Sequence, residues 1–149
     1  MIKIRLVKKS DLKEIININK KDKEEHADVN LIKKRILEMF TNSFYKPTYL
    51  VAEEKGEIRG HVGYAQSRLN YRGYEIFFLF VDPDYRNKGI GIKLMNKAIK
   101  QIKLLRRKKE DDYLIILSST KPKYYSKKLG FKTLTKFNVN NSHVMALRI

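Results

Sequence analysis

The chain has 149 residues, 42% apolar and 33% charged, with no cysteine. That length holds one domain with a real core and is too short for two; the composition excludes a disordered chain, and the missing thiols exclude disulfides, thiolate metal sites and cysteine nucleophiles. The net charge of +17, concentrated from Gln101 onward, admits two readings: an anionic partner, or the compositional habit of a chain rich in Lys, Ile, Asn and Tyr.

Ile2, Ile4 and Leu6 alternate with polar neighbours, which predicts an opening strand. Ser10 is placed to cap a helix running to about Lys20, with Leu12, Ile15, Ile16 and Asn19 on one face. A charged link, KKDKEEHAD, leads to a second helix carrying Leu31, Ile32, Ile36, Met39 and Phe40 at helical spacing, and Pro47 closes the helical region. Three strands follow as an antiparallel meander: Tyr49 to Glu53, Ile58 to Leu69 after the Lys55-Gly56 turn, and Tyr74 to Val81 after a turn over 70–73.

After Pro83 a helix is predicted from about Gly89 to Leu105, with Ile90, Leu94, Met95, Ala98, Ile99, Ile102 and Leu105 as its apolar face. Leu114 to Leu117 is a continuous apolar run of the kind a strand buried on both faces shows, so strand, helix and strand form a βαβ unit. Pro122 opens a short last helix ended by Gly130, and Phe131 to Phe137 pairs with Val144 to Ile149 as a closing hairpin. The longest apolar run, Ile76 to Val81, is far short of the roughly 20 residues of a spanning helix, and the N-terminal segment lacks the apolar core of a signal peptide. A cytosolic protein with no membrane partner is expected. His26, His61 and His143 show no metal-ligand spacing, so no metal site is expected.

The chemistry concentrates in Val81-Asp-Pro-Asp-Tyr-Arg-Asn-Lys-Gly-Ile-Gly-Ile-Lys-Leu94. A helix N-terminus has unpaired N–H groups and a partial positive charge, which suits it to hold phosphate. Gly89 and Gly91 let the backbone approach an anion, Arg86 and Lys88 add charge at the rim, and Pro83 ends the strand and sets the turn. The P-loop pattern is absent, and a dinucleotide fingerprint needs a third glycine where this chain has Leu94.

This segment resembles the Val-x-Pro-x-x-Arg/Gln-x-x-Gly-x-Gly-x-x-Leu signature of the GNAT superfamily, the acetyl-CoA-dependent N-acetyltransferases, and the order of elements is similar along the whole chain. The resemblance implies a single domain over residues 1–149. It would be an α/β fold with a mixed, mostly antiparallel sheet of about seven strands, flanking helices and a splayed cofactor cleft. It implies that the N–H groups of Arg86, Asn87, Lys88, Gly89, Ile90, Gly91 and Ile92 hold the diphosphate of coenzyme A. Leu79 and Val81 would pair through their main chain with the pantetheine arm, and main-chain N–H near Leu79 and Phe80 would meet the thioester oxygen. Tyr124-Tyr-Ser-Lys-Lys-Leu-Gly-Phe131 is similar to the family's Tyr-x-Lys-x-Gly-Phe segment. The position where many members carry a tyrosine that protonates the thiolate is Ser126 here, and Tyr125 stands where the histone acetyltransferase branch has a tyrosine that packs on the cofactor.

Acetyl transfer to an amine needs a base, a stabilised carbonyl oxygen and a thiol leaving group, with no covalent enzyme intermediate. Glu75 is the candidate base: alternation puts it on one strand face with Phe77, Leu79 and Val81, and its spacing to Arg86 is that of the histone acetyltransferase branch. Neighbouring aromatics are expected to raise its pKa. Tyr125, then Tyr124, then Ser126 are candidates to protonate the thiolate, and Lys123, Lys127 and Lys128 to meet the cofactor's 3′-phosphate. Asp22, Glu24, Glu25 and Asp28 are candidates to attract an amine. The expected function is acetyl transfer from acetyl-CoA to a primary amine of a small molecule, protein lysine or N-terminus by a monomer or homodimer. An RNA-borne acceptor such as an aminoacyl-tRNA, or a non-catalytic module binding acyl-CoA or nucleic acid, is the alternative.

Overall fold

A computed structural model describes residues 1–23, 28–138 and 140–149. Its elements in chain order are β1 (Lys3–Leu6), α1 (Leu12–Lys20), α2 (Val29–Glu38), β2 (Thr48–Glu54), β3 (Glu57–Gln66) and β4 (Gly73–Val81). They continue with α3 (Ile90–Leu104), β5 (Leu114–Ser119), α4 (Pro122–Leu129), β6 (Lys132–Lys136) and β7 (His143–Arg148). The seven strands form one sheet in the order β1-β2-β3-β4-β5-β7-β6, antiparallel throughout except for β4 beside β5. That one parallel pair is the βαβ unit expected from the run of strand, helix and strand.

Alternation along β2 and β3 divides the core in two. Leu50, Ala52, Val62 and Tyr64 face α3, while Tyr49, Val51 and Ile58 face α1 and α2. α3 contributes Ile90, Leu94, Met95, Ala98, Ile99 and Ile102, all buried; each of these side chains larger than alanine contributes about 2 kcal/mol, so this face rather than helix propensity holds the helix. Lys55 and Gly56, with φ of 51 and 80°, make the two-residue turn that suits the twist of the β2–β3 hairpin.

Several sequence expectations are corrected. Ser10 does not cap α1. Lys9–Asp11 form a short 3-10 turn, and Asp11 accepts from the Lys8 N–H at 2.7 Å and pairs with Arg5 at 2.7 Å. α2 is capped instead by Asp28, which accepts from the N–H groups of Asn30 and Leu31. The helix stops at Glu38, well before Pro47, and buries only Ile32 and Ile36, leaving Leu31 and Phe40 exposed. β3 ends at Gln66, so Leu69 projects from a hairpin loop, 97% exposed. Leu105 lies one residue past α3 and is exposed.

β5 is not buried on both faces. Ile115 and Leu117 are covered by the α3 side, but Leu114 is 37% exposed and Ile116 half-buried. The helical layer of α1 and α2 packs on β2, β3 and Phe80, which leaves the opposite face of β5 open beside Glu75. Among the described residues no helix is long and apolar enough to cross a membrane.

Candidate active site

β4 and β5 pair only through Gly73↔Leu114, Tyr74↔Ile115 and Glu75↔Ile116. Beyond that point the strands part, and the β4 main chain from Ile76 to Val81 has no strand on its cleft side. A second irregularity lies in the same stretch. Gly63 pairs with Phe77 and His61 with Phe80, so two residues of β4, Phe78 and Leu79, stand opposite the single Val62. This is a β-bulge, and Phe78 takes a φ of 52° to make it.

The bulge reverses the alternation. Tyr74, Ile76, Leu79 and Val81 face α3, whereas Phe77, Phe78 and Phe80 face α1 and α2. Glu75 therefore shares a face with Phe77 and not with Leu79 and Val81 as period-two counting predicts. Its side chain is exposed, so the aromatic burial expected around it is missing. It occupies the last paired position before the cleft opens. Phe80 is buried, stacked on His61 with ring centroids 5.9 Å apart, and is paired in register. Phe78–Leu79 is the part of β4 with no registered partner on either side.

Past the strand, Asp82 caps a 3-10 turn over Pro83–Tyr85 by accepting from the Asp84 N–H at 3.1 Å. Asn87 and Gly89 then take φ of 62 and 77°, and Gly89 starts α3 with no side-chain cap. The first helical bond runs from the Lys93 N–H to the Gly89 carbonyl. Among the described residues no backbone partner receives the N–H groups of Asn87 through Ile92, which lie at the positive end of a helix. Gly89 is required by its left-handed φ, with open space around it. At Gly91 the space is tight: a Cβ there would stand 3.0 Å from the Tyr124 hydroxyl, with Val81 and Leu79 methyl groups at 3.6 and 3.9 Å.

The charged rim differs from expectation. The Arg86 Nε donates to the Val81 carbonyl at 3.1 Å, and its guanidinium pairs with Asp22 at 2.5 Å and lies over Phe80. Arg86 thus braces the turn from behind, and Lys88, over the Tyr85 ring at 4.7 Å, remains as the exposed cation. Lys21 adds a second brace, reaching the wholly buried Asp82 at 2.8 Å and Asp84 at 3.1 Å. These ties between the end of α1 and the turn join residues about sixty positions apart and had no signal in sequence. Asp22 is accordingly tied to Arg86, and Asp28 is spent as a helix cap; Glu24, Glu25 and His26 lie outside the described residues.

Of the two tyrosines on α4, Tyr124 reaches the cleft. Its hydroxyl sits over Gly91, and burial pushes its pKa up. Tyr125 turns to the core, edge-on to Phe131 with ring centroids 6.1 Å apart. Ser126 is exposed and donates back to the Lys123 carbonyl at 3.3 Å. Lys128 lines a groove beside Asn96, Ile99 and Lys103, farther along α3 than the glycine turn. His61 is buried, its Nε2 accepts from the Asn19 Nδ2 at 2.8 Å, and burial lowers its pKa to about 3, so it is neutral. Among the described residues no group of three His, Asp or Glu side chains is arranged to hold a metal.

Comparison with known proteins gives one family model, described as an acetyltransferase (GNAT) domain, which matches residues 45–133. No curated protein matches the sequence. A GNAT-family protein from Desulfovibrio desulfuricans superposes with a TM-score of 0.80 at 13% identity, covering 100% of this chain and 98% of that one. PaiA N-acetyltransferase from Thermoplasma acidophilum, solved with coenzyme A, gives 0.75 at 19% identity over 100% and 99%. A GNAT-family acetyltransferase from Brucella melitensis, solved with acetyl-CoA, gives 0.71 at 19% identity over 99% and 87%.

Proposed function

The chain belongs to the GNAT acetyltransferase family, and from that premise we propose that it transfers an acetyl group from acetyl-CoA to a primary amine by direct attack. The observation that carries this reading is the alignment of two features along β4. Unpaired amides of residues 87–92 lie at one end, and an unpaired strand edge runs from there back to Glu75. A diphosphate fits the amides, and a pantetheine-like arm fits the strand edge, which offers main-chain groups with no partner strand.

Glu75, exposed at the closed end of the cleft beside the uncovered face of β5, takes the proton from the incoming ammonium, directly or through water. The amine nitrogen bonds to the thioester carbon as the carbon–sulfur bond breaks. Main-chain N–H groups of the Phe78–Leu79 bulge meet the oxygen as charge develops on it. Tyr124, whose burial keeps the phenol protonated, returns a proton to the departing thiolate; Tyr125 packs. The acceptor is a small amine, a protein lysine or an N-terminus, and the protein works in the cytosol as a monomer or homodimer. Following free-thiol release from acetyl-CoA across a panel of such amines tests the reading. Release that depends on one amine class supports it, and binding of acetyl-CoA with no amine-stimulated release overturns it.

A further inference from the structure

At the end of the sheet where β4 and β5 begin, opposite the glycine turn, three exposed stretches meet. They are residues 40–46 after α2, the β3–β4 loop and the connector after α3. Their contacts are of one kind: the Arg68 guanidinium lies over Tyr45 at 5.4 Å, and those of Arg72 and Arg107 both lie over Tyr71, at 5.3 and 5.5 Å. Phe44, edge-on to Tyr45, is 82% exposed and Tyr71 is 51% exposed.

The arginines left without a carboxylate gather at this end. Arg5, Arg35, Arg59 and Arg86 each hold a carboxylate, and at this end Arg72 pairs with Asp111 at 3.2 Å and Arg148 with Asp112 at 4.0 Å. The arginines with no carboxylate partner among the described residues are Arg68, Arg106 and Arg107, all at this end. From Arg106 the surface continues into a groove of about 430 Å³ between α3 and β7, where Lys103, Lys128 and Arg148 add three more cations.

We propose that this band binds single-stranded RNA, with bases on Tyr71 and Phe44 and phosphates along the arginines and the groove. Cations alone fit any polyanion, but the exposed Phe44 ring, and the Tyr71 ring with the guanidinium groups over it, also offer planar surfaces for unstacked bases. A duplex hides its base faces, and a bilayer is too flat to enter a groove. Loops with splayed bases are an ordinary state of RNA. Binding here is independent of acyl transfer in the cleft.

The test is fluorescence anisotropy of a labelled mixed-sequence RNA of about 15 nucleotides, within the range such surfaces track, across a salt series. The expected slope of log affinity against log salt is about −4. Replacing Arg68, Arg106 and Arg107 together by alanine should lower the slope's magnitude by about 2. Tyr71→Ala should weaken binding about tenfold with the slope unchanged. Replacing the exposed Lys13, Lys33 and Lys34 removes as much charge from the α1–α2 face and should change affinity less than about twofold. Coenzyme A affinity, unchanged in all variants, certifies their folding. Equal losses in the two triple variants, no effect of Tyr71→Ala, or equal affinity for duplex RNA, an acidic peptide or anionic vesicles would overturn the proposal.

Discussion

Replacing Gly91 by alanine should act on stability and on ligand binding in opposite directions. Alanine in a first helical turn gains up to about 1 kcal/mol over glycine by restricting the unfolded chain. Against this, the new methyl would stand 3.0 Å from the Tyr124 hydroxyl, a contact that the end of a side chain relieves by shifting a few tenths of an ångström. The net change is therefore between zero and about +1 kcal/mol, which for a domain of this size raises Tm by at most about 2–4 °C. The same methyl enters the space among Leu79, Val81 and Tyr124, next to amides that receive no backbone partner. Coenzyme A affinity should fall tenfold or more, a loss of at least about 1.4 kcal/mol. A melting curve without ligand and a calorimetric titration with coenzyme A measure the two effects. Unchanged affinity, or a Tm lowered by several degrees, would refute the placement of this surface in the cofactor cleft. Gly89→Ala separates the causes, since its surroundings are open but its φ is 77°; it should cost about 1–2 kcal/mol of stability.

Glu75→Gln should keep coenzyme A affinity and lower kcat by about 10² or more, the usual contribution of a general base; wild-type turnover in steady-state thiol release would remove Glu75 from the chemistry. Tyr124→Phe should lower kcat with little change in stability, while Tyr125→Phe should leave kcat near wild type, so the reverse pattern in paired assays would exchange the two roles. His61 gives a pH signature. Its folded pKa of about 3 lies below the ordinary 6.5, so from about pH 6.5 downward the unfolded chain binds a proton that the folded chain does not. Stability should be complete above pH 6.5 and fall by about 2 kcal/mol between pH 6.5 and 5, at about 1.4 kcal/mol per unit. Urea melts across that range should lose this component in His61→Gln.

The start of α3 was legible because two local signals coincide there: a glycine pair and the first residues of an apolar helical face. The parallel pairing of β4 with β5 was legible because a strand, a helix and a strand in succession leave few other topologies. The bulge was hidden. In Ile76 to Val81 every residue is apolar, so alternation carries no information about which face each occupies, and an extra residue passes unseen. Tyr124 and Tyr125 are adjacent on a helix and point about 100° apart, so the phase of α4, set by Phe131 packing, decides which one enters the cleft. The roles of Arg86 and Asp22 depend on a contact between distant segments, and no local pattern encodes such a pair.

The most direct measurement is a titration of the ¹⁵N-labelled protein followed by amide NMR, with coenzyme A and separately with pantetheine, which lacks the diphosphate. Coenzyme A should shift the amides of Asn87 through Ile92 together with those of Ile76 to Val81, and pantetheine only the second group. Shifts confined to other surfaces, or a glycine turn unmoved by saturating coenzyme A, would contradict the claim that these amides hold the cofactor.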